Sequence, residues 1–224
     1  MTAPIPSRSV FITGGTGYMG RRLIERLLAR GHRVCALARD GSAARVPVGA
    51  ERVVGDALRG LSYAAFIPPA DTFVHLVGVP HPSPAKAQDF LRIDLASVDA
   101  AVPAAVTSGI GHFVYVSVAQ PAPVMRAYVA VRGRAEQIIR ESGLNTTILR
   151  PWYVVGPGHW WPVLLLPGYA LGSLLPSTRD SARRLGLVTL TQMLRSLVHA
   201  VESPVSGVRV MEVPEIRRSG GMRE

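Results

Sequence analysis

Short apolar runs recur along this chain, each closed by a glycine, a proline or a polar turn. "SVFIT" (Ser9 to Thr13), "RVCALA" (Arg33 to Ala38), "ERVVG" (Glu51 to Gly55), "TFVHLV" (Thr72 to Val77), "HFVYVS" (His112 to Ser117) and "NTTILR" (Asn145 to Arg150) read as short buried strands. Between several of them the apolar positions return with the period of a helix. Leu23, Leu27 and Leu28 mark one face of Tyr18 to Arg30, and Ile138 and Ile139 fall in Val124 to Ser142. Gly31 and Gly143 stand just past these helices, where a left-handed residue is usually needed. A further helix from about Thr189 and a strand in "GVRVMEV" follow, and both are expected to serve the core. Strands alternating with helices predict a doubly wound α/β fold, a parallel sheet covered on both faces. At 224 residues the chain is expected to be one domain, with the polar tail 217–224 disordered.

Composition narrows the function. Apolar residues are 48% and charged residues 18% of the chain, the profile of a compact protein rather than a disordered one. The net charge of +10 invites nucleic acid, but arginines are scattered through every helix, Lys86 is the one lysine, and no basic run is interleaved with aromatics. The charge is therefore assigned to a solvated basic surface and a phosphate-bearing cofactor, not to nucleic acid. The single cysteine, Cys35, excludes an intrachain disulfide and a Cys-rich metal site. His75 and His81 flank the end of the fourth strand without metal-ligand spacing, so no metal is expected. "MTAPIPSRSV" holds no apolar run of signal-peptide length, and a cytoplasmic protein is expected.

"VFITGGTGYMGRRLIERLL" places Gly14, Gly17 and Gly20 between a strand and a helix. Gly14 lets the chain turn sharply, Gly17 lets backbone approach a pyrophosphate, and Gly20 lets helix and strand pack closely. The phosphates would then sit on the helix N-terminus, with Thr16, Tyr18 and Met19 completing the turn. This is the dinucleotide fingerprint of a Rossmann fold in its proper context. The second strand ends in "ALARD", with Arg39 where a ribose-binding carboxylate would stand. A guanidinium pairs with a 2′-phosphate, so NADP(H) is favoured over NAD(H); a one-residue shift would instead hand the ribose to Asp40.

With "TGGTGYMG", "GDAL", "VYVS", Tyr128 and "LRPWYVVGPG" in order, the chain resembles the short-chain dehydrogenase/reductase superfamily over roughly Ser9 to Val213. More narrowly it is similar to the atypical and extended branches, NmrA-like proteins and epimerases among them. The resemblance implies an adenine-side role for Asp56 and Ala57, with a turn-forming carboxylate as the plainer alternative for Asp56. It implies that Leu76, Val77 and Gly78 line the cofactor ribose and that Pro151, Trp152 and Val154 cover the nicotinamide. Ser117 would orient the substrate oxygen, unless it is a strand-end hydroxyl bonded to backbone.

Tyr128 and Arg132 are four apart, one turn above each other on a helix. The resemblance makes Tyr128 the proton donor and gives Arg132 the place of a lysine that binds the ribose and lowers the tyrosine pKa. An arginine supplies that charge but does not readily shuttle a proton. Tyr128 is left with three readings: acid, structural tyrosine, or contact without proton transfer. Glu136 is expected to make an ordinary surface pair with Arg132 or Arg140.

Extended relatives insert a substrate domain after the sixth strand, whereas here an apolar, aromatic stretch fills 156–184. Its prolines break it as a membrane span. It is expected to form a short lid over the pocket, with Trp160 and Trp161 facing a small, apolar or aromatic substrate and His159 either a polar group of that pocket or a plain capping or solvated histidine. Peripheral membrane contact and a homodimer or partner surface are lesser readings. Two functions remain: an NADP-dependent oxidoreductase, with an epimerase that recycles its cofactor as a variant, or a non-catalytic NADP(H)-binding sensor or assembly factor.

Overall fold

The computed structural model describes residues 6–158 and 184–219. Its elements run β1 (Ser9–Thr13), α1 (Tyr18–Ala29), β2 (Arg33–Ala38), β3 (Glu51–Val54), β4 (Thr72–His75), α2 (Ala87–Asp89), a π-helical stretch Phe90–Leu95 and α3 (Ala96–Thr107). They continue with β5 (His112–Val116), α4 (Arg126–Glu141), β6 (Thr146–Arg150), β7 (Tyr153–Val155), β8 (Leu187–Thr189), α5 (Leu190–Glu202), β9 (Val208–Glu212) and α6 (Val213–Ser219). Seven strands form one parallel sheet in the order β3-β2-β1-β4-β5-β6-β9. The strand order reverses between β1 and β4, and in such sheets ligands bind outside the carboxyl ends of the strands at that reversal.

The period-two pattern of the strands distributes the core. In β1, Val10 and Ile12 join Leu23, Ile24 and Leu27 of α1 and Met193, Leu194 and Leu197 of α5 in one layer. Phe11 points the other way, into a layer with Phe73, Phe113, Val98 of α3 and Ile139 of α4. Both faces of the sheet are therefore covered, as the continuous apolar strands require.

The local punctuation holds as expected. Gly31 and Gly143 take φ of +79° and +75°, closing α1 and α4. Helix α4 begins at Arg126 rather than near Val124, because Met125 before it is left-handed at φ +56°. The expected helix near Thr189 starts at Leu190 with Thr189 as its cap. The strand pair β7-β8 is absent from the sequence reading: three residues each, too short for the apolar period to register. At the far end, Arg217, Arg218 and Ser219 are helical rather than part of a disordered tail, since Val213 and Ile216 anchor α6 in the core; 220–224 lie outside the described residues.

Candidate functional site

The carboxyl ends of β1, β2, β3 and β4 border a cleft of about 310 Å³. Gly14, Thr16 and Gly17 line its centre, Arg39, Ser42, Asp56 and Ala57 one side, and Leu76, Val77 and Gly78 the other. Gly14 is left-handed at φ +75°, and a Cβ there would come within 2.7 Å of the Leu76 backbone carbon. A Cβ on Gly20 would collide with the Gly14 carbonyl oxygen, so the helix packs on the turn as the glycine spacing predicts. Helix α1 has no side-chain cap and no acidic residue in its first turn. Its leading amides are thus left for an anion, and the cradle fits the pyrophosphate of a dinucleotide.

Other expected cofactor residues sit elsewhere. The Tyr18 hydroxyl donates to the Pro157 carbonyl at 2.9 Å, and Met19 packs against the first core layer. Trp152 and Val154 pack against that same layer, and neither they nor Pro151 border the cleft. His159, Trp160 and Trp161 lie outside the described residues. Among the residues that line the cleft is Arg39, and Asp40 is not one of them. Asp56 accepts from the Leu58 amide at 3.0 Å, so it is the turn-forming carboxylate and a cleft residue at once.

Tyr128 stands on the first turns of α4, half-buried against Phe90, with ring centroids 4.9 Å apart. The Arg132 guanidinium lies 5.2 Å from its ring centroid. Arg132 is 6% exposed: Nη1 donates to the Tyr115 hydroxyl at 3.1 Å and the Val116 carbonyl at 2.9 Å, and Nη2 lies 2.5 Å from Asp94 Oδ1. A Cβ on Gly78 would collide with Arg132 Nη2 and lie 3.3 Å from Asp94 Oδ1. The ion pair therefore sits directly behind the cleft wall, and only a glycine leaves room for it. Asp94 comes from the π-helical stretch, fully buried, and its Oδ2 accepts from the Val79 amide at 2.9 Å.

Electrostatics follow from this packing. Burial works against the charge of Arg132, but Tyr115, Tyr128 and Asp94 outweigh it and hold the guanidinium protonated. Burial raises the Asp94 carboxyl overall, with Arg132 and the Val79 amide pulling against that rise. A guanidinium enclosed this fully is best matched by the carboxylate, so the pair is ionised. Burial also raises the Tyr128 phenol; Arg132 pulls it down, and Asp94 opposes that pull. Tyr115 is pushed up to about 12, again chiefly by burial.

Ser117 follows β5, 3% exposed. Its hydroxyl lies close enough to Glu136 to help lower that carboxyl, although its Oγ makes no hydrogen bond of standard geometry among the described residues. The structure thus does not join Ser117 to Tyr128 by a hydrogen bond. Glu136 makes the expected same-face pair with Arg140 at 3.1 Å and not with Arg132, but its surface placement is corrected: it is 2% exposed and also pairs with Arg150 at 2.6 Å. Its helical spacing is right, but α4 turns that face onto the end of β6.

Two functional residues escape the sequence reading. Asp94 has a usable signal, a carboxylate amid the apolar positions of "FLRIDLASV", where an unpaired charge would be costly. Tyr115 has none, since "VYV" reads as any core strand.

A parallel sheet with its cradle at the strand reversal defines a nicotinamide-dinucleotide-binding protein of Rossmann type. The chain belongs to the NAD(P)H-binding family, which it matches over residues 14–156, within the short-chain dehydrogenase/reductase superfamily. It is 28% identical over 221 residues to a ceramide reductase of Caulobacter vibrioides, covering 94% of this chain and 66% of that protein. It is 28% identical over 170 residues to a 4-hydroxy-2-methyl-3-oxo-4-farnesyl-3,4-dihydroquinoline-1-oxide ketoreductase of Stigmatella aurantiaca, covering 65% of this chain and 50% of that one. The chain thus spans between half and two-thirds of these relatives. Among solved structures, the Bordetella bronchiseptica enzyme WbmH in complex with NAD+ superposes with a TM-score of 0.68 at 21% identity, over 91% of this chain and 75% of that one. Among the described residues no helix is long and apolar enough to cross a membrane.

Proposed function

We propose that the protein is an NADP-dependent oxidoreductase that reduces a carbonyl carbon of a small apolar or aromatic substrate, or oxidises the corresponding alcohol. The observation that carries this reading is one cleft with Arg39 at one side and Gly78 at the other, with Arg132 packed behind Gly78 and its guanidinium 5.2 Å from the Tyr128 ring centroid. Arg39 pairs with the 2′-phosphate, and Ser42 stands beside it. The amides at the start of α1 hold the pyrophosphate. When bound, the nicotinamide supplies or accepts the hydride. Tyr128 gives its phenolic proton to the carbonyl oxygen, and Arg132 contributes a fixed charge without relaying protons. The two reductases it resembles, one named for ceramide and one for a farnesyl-bearing ketone, support an apolar substrate. The same reading places the protein in the cytoplasm, in keeping with Cys35 as a buried free thiol.

The locked Asp94–Arg132 pair favours a second reading, an NADP(H)-binding sensor or assembly factor whose tyrosine does no chemistry. Hydride transfer from NADPH across a panel of carbonyls and quinones separates the two. Turnover that is lost in Tyr128→Phe is expected. If no compound is reduced while NADPH still raises the melting temperature, the second reading replaces the first.

A further inference from the structure

The ion pair behind the cleft wall determines more than the position of an arginine. We propose that Asp94 is the positioning residue for Tyr128: paired with Arg132 behind Gly78, it fixes the guanidinium and cancels much of its field at the phenol, so that Tyr128 stays protonated and serves reduction. The proposal rests on reading Tyr128 as the proton donor. It deepens that reading by giving the site a direction.

The groups around the phenol can be followed element by element. From α4 comes Arg132; from the π-helical stretch, Asp94; from β5, the hydroxyl of Tyr115; and from β4, His75 lies close enough to feel the charge of Arg132. Were Arg132 without a carboxylate, its full charge would act on Tyr128 through a water-poor interior and favour the tyrosinate. A tyrosinate is a base suited to taking a proton from an alcohol. A protonated tyrosine is an acid suited to giving one to a carbonyl. In reduction the hydride adds to the carbonyl carbon, the phenolic proton goes to its oxygen, and the phenolate left behind is reprotonated from water.

Asp94 is itself held in place. Ser97 Oγ donates its one proton to the Asp94 carbonyl at 2.9 Å, so it must accept from His75 Nε2, 3.1 Å away. His75 Nδ1 then accepts from Thr13 Oγ1 at 2.8 Å. All three side chains are buried, and burial holds His75 neutral, down to about 3. This chain runs from the end of β1, next to the glycine turn, to the π-helical stretch, and pins the segment that carries Asp94. A carboxylate that merely filled a polar hole would need no such alignment toward the guanidinium of another helix.

The test is an ultraviolet titration of the phenols in the full-length protein, with Tyr128→Phe subtracted to isolate Tyr128. Asp94→Asn keeps the shape and the acceptor for the Val79 amide but removes the charge. The Tyr128 midpoint is expected to move to lower pH, with Asp94→Glu restoring it toward the wild-type position. An unmoved or raised midpoint in folded Asp94→Asn overturns the proposal. Should Asp94→Asn not fold, Asp94→Ser, which also removes the charge, is titrated in its place, and an unmoved or raised midpoint overturns the proposal. Carbonyl reduction measured alongside separates the two claims. Shifted midpoints without any turnover uphold the electrostatic role and sink the enzyme reading, whereas turnover with unshifted midpoints does the reverse.

Discussion

Arg39 illustrates how little a side chain needs for selectivity. It is exposed, precedes the short helical turn Asp40–Arg45, and borders the cleft with Ser42, whereas Asp40 is not among the lining residues. A hydrogen bond to a charged group contributes about 1.5–3 kcal/mol. Arg39→Ala is therefore expected to weaken NADPH binding roughly 10- to 100-fold. NADH binding should change by less than about threefold by the same argument, since no phosphate is lost. Titration calorimetry with both cofactors checks this, and equal losses would remove the preference for the phosphorylated form. Both the arginine and its neighbour were legible in the sequence, with Arg39 favoured, but whether a one-residue shift hands the place to Asp40 was not. That choice depends on how the chain leaves β2, a property of backbone direction rather than residue type. Arg132 shows the same limit: its charge was legible, its partner was not, because Asp94 reaches it from another element.

At the scale of the element, local rules carried most of the weight. The glycine turn was readable because it answers mostly to sterics within one strand–turn–helix unit: Gly14 takes a left-handed φ, and a Cβ on Gly20 would collide with the Gly14 carbonyl. The clash of a Gly14 Cβ with the Leu76 backbone adds a constraint from another element. Helix α5 is equally local: Thr189 Oγ1 accepts from the Gln192 amide at 3.1 Å, and Gln192 Oε1 accepts from the Thr189 amide at 2.9 Å. This reciprocal cap anchors the helix that covers one face of the sheet with Met193, Leu194 and Leu197. Thr189→Ala should cost about 1 kcal/mol, read as a lower urea midpoint at unchanged slope. The π-helical stretch Phe90–Leu95 was not legible, since its residues also suit an ordinary helix and only packing against α4 and α3 decides the wider turn.

For the whole molecule, two buried histidines tie stability to pH. His75 is pushed down to about 3 and His112 to about 4, in both cases chiefly by burial. Both are neutral in the fold, while in the unfolded chain they protonate near pH 6.5. The unfolded state therefore binds more protons as the pH falls, and stability present above about 6.5 is lost progressively toward 3. Urea midpoints measured through that window should fall by several kcal/mol in stability, at about 1.4 kcal/mol per pKa unit for each group. His75→Gln should flatten part of the slope, and an unchanged slope would mean that His75 is not held neutral.

The sequence by itself determined the seven strands of the main sheet, the closure of the helices at Gly31 and Gly143, and the glycine turn. Each is set by residues a few positions apart, through backbone sterics and the period of apolar side chains. Tertiary structure alone decided which charges meet: Arg132 with Asp94 behind Gly78, and Glu136 with Arg150 in the interior. Those pairings depend on how the π-helical stretch, α4 and β6 dock. Such docking is governed by contacts between residues far apart in the chain, which no local pattern encodes.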